Sequence, residues 1–296
     1  MRFAVWGDAP YTVAERALVA RLVDEVNAAE VAFTVNVGDL KGGGECDDAV
    51  FARARETFAR FTAPLVYVPG DNEWTDCWGS GQDPLERLAF LRRTMYPDGR
   101  SFGQRPLDLV QQRPAYPEHS RWREGALTAI GVHVVGSNNN AAAAVPGPAD
   151  GGPPRSAASR AAARAEFEAR DAAVADWLRA GFDAALADKS AAVAVFFQAD
   201  PRLHVVAAER AERGVDGYDR FLAVLVDQAA RFPGPVVLVH GDTHFFRRDR
   251  PLADRPNVVR VETYGSPLVG WVEVTVNPGS AEQVRAVPHL VADAGD

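Results

Sequence analysis

Long apolar runs are scarce in this chain: its most hydrophobic stretches, such as 191–197 and 235–239, are strand-sized and fall far short of the roughly 20 residues a membrane-spanning helix requires. No membrane partner is expected. Positive charge is in deficit, with 32 Lys and Arg against 40 Asp and Glu and a formal net charge of −8. A long polyanion would therefore meet net repulsion, and nucleic acid is not an expected partner. No charged segment followed by an apolar export core precedes the strand pattern at residues 3–6, which points to the cytoplasm. Cysteine is nearly absent. Cys46 and Cys77 are the only two, and they are read as free thiols in loops of a reduced protein. Each lies a few residues beyond a Gly-Asp motif, so the fold could bring them together, and a disulfide would point instead to a secreted or periplasmic setting.

What is present is a large core: 47% of the 296 residues are hydrophobic, enough for one sizeable α/β domain. The first half alternates short β-branched or aromatic runs with helical patterns, the signature of strand and helix layers. Strands are expected at 3–6, 31–37 and 64–68, and helices at 13–29, 47–61 and 84–95. Residues 96–125 read as an irregular surface excursion, and 127–135 as two short strands split by Gly131. The Ala-, Pro- and Gly-rich stretch 141–164 reads as a mobile loop leading into a helix at 165–187. Further strands are expected at 192–197, 236–240, 258–264 and 271–276, with a helix at 218–232. A single domain over 1–287 followed by an unpatterned tail at 288–296 is the resulting organisation.

Chemistry concentrates at strand ends. Four apolar strand candidates finish in Gly-Asp: Gly7-Asp8, Gly38-Asp39, Gly70-Asp71 and Gly241-Asp242. In an open α/β sheet the loops at the carboxyl ends of strands surround one crevice, so aspartates repeated there are expected to converge. An aspartate after a strand commonly caps the next helix or turn, but that role does not account for all four positions together. Carboxylates gathered in one crevice repel one another unless a cation lies between them or their pKa values rise. Asp8, Asp39, Asp71 and Asp242 offer hard oxygen donors, Gln198 could add a carbonyl oxygen and His244 an imidazole, a set that favours Mn, Mg or Ca over Zn.

These motifs, with Asn72-Glu73 following Asp71 and Thr243-His244 following Asp242, resemble in order and interval the motif set of the calcineurin-like metallophosphoesterases over about residues 1–275. The resemblance implies two packed mixed β-sheets flanked by helices, a four-layer α-β-β-α sandwich. It also implies hydrolysis of a phosphate mono- or diester by a metal-activated water, with a small phosphorylated substrate and up to two divalent ions. Asp39 would bridge the ions, Asp8 and His244 would serve the first, and Asp71, Gln198 and Asp242 the second. The chain departs from the pattern in particular places. Pro10 stands where the family's Asp-x-His carries its histidine, and Gln198 and Asp242 replace two further histidine ligands. Asn72 stands at the catalytic histidine, although a one-residue shift would put Asn72 on a metal. With the usual proton donor gone, His240 or His204 is the nearest substitute; His240 is equally readable as a strand-end histidine satisfied by backbone. The competing expectation is a protein on the same fold that binds metal or ligand without turnover.

Several residues carry weaker expectations. Lys41 with Gly42-Gly43-Gly44 could hold a phosphate or form a flexible turn. Trp74 and Trp78 could wall a pocket or cover the core. Asn138-Asn139-Asn140 reads as a polar turn, and Arg247, Arg248 and Arg250 as a solvated edge.

Overall fold

The computed structural model describes residues 1–44, 46–141, 153–214 and 216–292. In the first half, β1 (Arg2–Trp6), α1 (Glu15–Ala28), β2 (Thr34–Asn36), α2 (Asp48–Phe58), β3 (Leu65–Tyr67) and α3 (Pro84–Met95) alternate as expected. The outer strands β4 (Val110–Gln112), β5 (Tyr116–Glu124) and β6 (Leu127–Gly131) lead to a one-turn segment α4 (Gly136–Asn139) and a long helix α5 (Ala157–Ala187). The chain continues through β7 (Ala192–Phe196), α6 (Ala207–Glu212), α7 (Asp219–Arg231), β8 (Val236–His240), β9 (Arg247–Asp249), β10 (Val258–Glu262), β11 (Gly270–Val276) and β12 (Val284–Leu290).

Two mixed sheets form, one in the order β12-β11-β1-β2-β3 and the other β4-β5-β6-β7-β8-β10-β9. Strands β1, β2 and β3 run parallel in the first, and β6, β7, β8 and β10 run parallel in the second. Strand alternation divides the core into layers. On β1, Phe3 and Val5 face the other sheet, joining Phe33 and Val272 from their own sheet's inner side and Phe196 from β7 opposite, while Ala4 and Trp6 face the helical layer with Leu22, Phe51 and Phe58. On β7 and β8, Val193, Val195, Val236 and Leu238 pack against Leu178 and Phe182 of α5 and Phe221 and Leu225 of α7. The result is the expected four-layer sandwich.

Four expectations about the elements need correction. Residues 127–135 hold one strand and not two, since β6 ends at Gly131. Residues 96–125 are not wholly irregular, because β4 and β5 extend the second sheet there. Strand β5 carries polar residues inward, with Glu118 and His119 fully buried, and this hides the alternation a strand normally shows. The long helix starts at Ala157, inside the stretch read as a loop, because the side chain of Ser156 accepts a hydrogen bond from the Ser159 N–H at 3.1 Å and caps an Ala-rich run. The mobile-loop expectation for 142–152 lies outside the described residues. The tail is patterned further than expected, since β12 pairs along β11 as far as Leu290.

Cys46 and Cys77 are joined by a disulfide, contrary to the reading as free thiols. The bond ties the loop after β2 to the turn of 3-10 helix at Thr75–Ser80, directly after Asp71-Asn72-Glu73. For a sequence separation of 31 residues, chain-entropy arguments put its contribution at about 3–4 kcal/mol. We expect the double variant Cys46→Ser/Cys77→Ser to melt about 10 °C lower, the shift that loss implies for a chain of this size, measured by circular dichroism; an unchanged midpoint would show that the cross-link adds nothing. Among the described residues no helix is long and apolar enough to cross a membrane.

Candidate functional site

Each of the four strand-end Gly-Asp motifs sits where a parallel strand leaves its sheet. Asp8, Asp39 and Asp242 have φ values of 51°, 54° and 82°, the left-handed region that Asp tolerates better than most residues. The glycines permit close nesting of neighbouring loops. A Cβ on Gly38, itself at φ 92°, would stand 2.3 Å from the Gly70 backbone nitrogen, and one on Gly241 would stand 1.9 Å from Asp8 Oδ2. The strand-end loops therefore contact each other backbone to side chain, which brings distant acids together.

The predicted acids do meet. The Asp242 N–H donates to Asp8 Oδ1 at 3.1 Å, and the Asn72 N–H donates to Asp39 Oδ1 at 3.1 Å. Asp8, Asp39 and Asp71 are buried, Asp8 completely so, and Asp8 Oδ2 has no hydrogen-bond partner. Burial, followed by repulsion from Asp242, Asp71 and Glu73, pushes the Asp8 carboxyl well above its ordinary range. Asp39 is raised in the same way by burial and then by Asp71, Glu73, Asp8 and Asp242. Asp71 is raised by burial and then by Asp76 and Asp242, while Asp242 is pushed up to about 6, chiefly by burial.

Other predicted residues are placed less as expected. Gln198 is buried beside Asp39, but its Oε1 accepts from the Gly136 N–H at 2.7 Å, so its amide N–H₂ faces Asp39 Oδ2 at 3.0 Å. As positioned it offers the cluster a donor and not the carbonyl oxygen read from the sequence. His240 points away. Like Val236 and Leu238 on the same strand, it faces the helical layer, stacking on Phe197 at 5.3 Å with Nδ1 2.8 Å from the Gly241 carbonyl. Its imidazole is held down to about 4, chiefly by burial, and the catalytic role expected for it is not supported by its position. His204 is exposed. Trp74 is core, beneath Arg170 and beside His133. Trp78 donates to the Pro153 carbonyl at 2.7 Å and carries Arg155 over its ring. Arg247 pairs with buried Glu262 at 3.1 Å and Arg248 with Glu282, so the basic run is tied to acids rather than merely solvated.

Two site residues, Tyr11 and Ser137, went unnoticed in the sequence, and Glu73 was read only as part of the motif after Gly70. Tyr11 places its hydroxyl 3.1 Å from Asp39 Oδ2 and 3.3 Å from His244 Nε2, and accepts from Asn72 Nδ2 at 3.1 Å. Ser137, in the turn after β6, has its hydroxyl 2.8 Å from both Asp71 Oδ2 and Asp76 Oδ1, with one proton to share between them. Glu73 is a brace: it accepts from the Leu40 and Gly70 N–H groups and from the Tyr67 hydroxyl. Nothing in local composition singles out Tyr11 or Ser137, because each acts through a contact with a distant loop. Lys41 is 8% exposed, with its ammonium 3.0 Å from the Gly42 carbonyl and within the field of Glu73, Asp76, Asp39 and Asp71. It is an internal counter-charge to the acids rather than part of a free turn.

No family model matches this sequence, and no curated protein matches it. Solved structures do. A dimetal phosphatase from Danio rerio superposes with a TM-score of 0.51 at 12% identity, covering 99% of each chain. A 5'-nucleotidase from Candida albicans gives 0.48 at 9% identity, covering 97% of this chain and 50% of that one. A zinc-complexed Vps29 from Entamoeba histolytica gives 0.33 at 9% identity, covering 99% and 100%. The last two are too loose to carry weight. The fold is that of the calcineurin-like metallophosphoesterases.

The fit of this site to metal is uneven. The acids supply an all-oxygen set with a buried, unpartnered Asp8 Oδ2, which suits a hard cation in kind. In position, no group of three His, Cys, Asp or Glu side chains among the described residues stands as an ion's ligands would. The Tyr11 hydroxyl and the Gln198 amide lie among them instead.

The raised carboxyls have a consequence for stability. With its pKa above the unfolded value, each holds a proton in the folded chain that the unfolded chain has lost, so stability falls as pH rises. The buried His240, His119 and His133, held down to about 4, about 3 and about 4, act oppositely, but only below about pH 6.5, where an unfolded histidine charges. Lys41, whose ammonium burial holds below its ordinary range, opposes the carboxyls at alkaline pH. We expect the metal-free wild type to lose melting temperature relative to Asp8→Asn as pH rises from about 4, where an unfolded Asp ionises. Parallel slopes for the two proteins in a pH series of thermal melts would rule this out.

Proposed function

We propose that this chain is a phosphoester hydrolase acting on a small phosphorylated molecule, with a hard divalent cation held at the acidic strand-end cluster. The observation that supports this reading is the convergence of Asp8, Asp39, Asp71 and Asp242 from four strand ends into one buried group whose mutual repulsion a cation would relieve. A bound divalent cation would supply Lewis acidity, lowering the pKa of water and offsetting charge on phosphoryl oxygens. The chain's own residues do the rest. Asp39 is the central acceptor, Ser137 and the Asn72 N–H fix the orientation of Asp71 and Asp39, and the disulfide holds the two loops in register.

Leaving-group protonation separates this site from a histidine-bearing one. Asn72 has no labile proton to give, and His240 faces the helices. Turnover is therefore expected to depend steeply on the leaving group, so that an activated aryl phosphate reacts and an alkyl phosphate does not. A flat plot of log kcat/KM against leaving-group pKa would show that a proton donor exists after all. Purified protein supplied with Mn²⁺ or Mg²⁺ and an aryl phosphate mono- or diester provides the direct test. A second reading, binding without turnover, is favoured by the Tyr11 phenol among the donors. It is selected if metal binds while no ester is hydrolysed under any metal.

A further inference from the structure

Tyr11 does more than border the acids. Its hydroxyl lies between Asp39 Oδ2, His244 Nε2 and Asn72 Nδ2, at 3.1, 3.3 and 3.1 Å. His244 Nδ1 lies 2.6 Å from the Ser266 carbonyl. A carbonyl can only accept, so Nδ1 carries the proton and Nε2 presents its lone pair. That is the tautomer and orientation of a metal-ligating histidine whose other nitrogen is held by a carbonyl. His244 Nε2 is also 3.8 Å from Asp8 Oδ1, and Asp8 Oδ2 is fully buried without a partner. Asp39 Oδ2 and His244 Nε2 thus both face the phenol oxygen, and Asp8 Oδ1 lies 3.8 Å from that same Nε2.

The hydroxyl is also held from behind. The Tyr11 ring packs on Gly42, where an added Cβ would touch it at 3.4 Å, and lines a cavity of about 290 Å³ floored by Trp6, Leu40 and Phe58. Next to it, Pro10 offers no side-chain donor that could help a cation compete with the phenol.

We infer that the Tyr11 hydroxyl takes the place of a cation between Asp8, Asp39 and His244, so that this chain holds one cation fewer than its donor set could bind. The inference rests on the proposed acid-bound cation only for the count expected of the wild type. The hydroxyl gives Asp39 and His244 a shared proton and gives Asn72 an acceptor, contacts that are all lost when an ion enters. Removing the phenol removes the competitor and leaves the three donors free.

Isothermal titration of the full chain with Mn²⁺, with anomalous scattering to place the ions, tests this on wild type and Tyr11→Ala. Tyr11→Ser, whose hydroxyl is too short to reach Asp39, serves as the second variant if the first folds poorly. The expected result is one additional Mn²⁺ per chain in the variant, located between Asp8, Asp39 and His244. One ion in both proteins, or two in wild type, overturns the inference while leaving the proposed function standing. None in wild type and one in the variant upholds the inference and removes the cation from the proposed function. None in either overturns both.

Discussion

Asp39→Ala is expected to abolish metal-stimulated hydrolysis of an activated aryl phosphate, with kcat/KM falling by on the order of a thousandfold. Asp39 is the acid on which the cluster is built: one oxygen takes the Asn72 N–H, and the other takes the Tyr11 hydroxyl and the Gln198 amide. Its charge is also felt at Tyr11 and Lys41. Loss of the central carboxylate removes several kcal/mol of cation binding and transition-state charge compensation, and each 1.36 kcal/mol is a factor of ten in rate. Mn²⁺ affinity measured by titration is expected to fall in the same variant. Retention of wild-type kcat/KM with added Mn²⁺ would refute the site, whatever the fold.

Arg170→Ala is expected to produce the largest loss of stability. Arg170 is completely buried, and its guanidinium donates to Glu166 at 2.6 Å, to the His133 carbonyl at 2.9 Å, and to Asn139 through both side chain and carbonyl. Trp74 covers its face at 5.3 Å. Deleting one partner of a buried ion pair leaves the other uncompensated, at a cost of roughly 3–5 kcal/mol. A fall in melting temperature of about 10 °C follows for a chain of this size. The loss reaches the site, because Asn139 closes the turn that presents Ser137 to Asp71 and Asp76. Ser137→Ala serves as the comparison, since it removes that contact without exposing a buried charge. A melting shift below about 2 °C for Arg170→Ala would show that the guanidinium is not part of what holds this turn.

Both variants concern contacts of different legibility. The Gly-Asp motifs could be read from the sequence because strand exits are local: an apolar run, a glycine that lets loops nest, and an acid that tolerates positive φ stand next to one another in the chain. The layer order was not written in residue type, since β1, β7 and β8 are almost uniformly apolar; alternation of side chains along a strand sorted their faces only once the sheets were in place. The position of His240 was implicit in the same alternation, as it shares the helical face with Val236 and Leu238. Strand β5 was hidden because its inward Glu118 is satisfied by Arg92 and His133, partners from other elements. The sequence left open whether Cys46 and Cys77 bond, since only the folded loops decide that two thiols separated by 31 residues meet.

The sequence by itself determined the alternation of strands and helices and the strand-end acids, because periodicity and residue chemistry are properties of neighbours along the chain; the sandwich and the replaced histidines followed from the resemblance those motifs carry. Only the tertiary structure decided what faces what at the centre. It turned the Gln198 amide N–H₂ toward Asp39, set the Tyr11 phenol among three donors and buried Lys41 as a counter-charge. Those outcomes depend on side chains from separate loops competing for the same few ångströms, and no local pattern records which of them occupies the space.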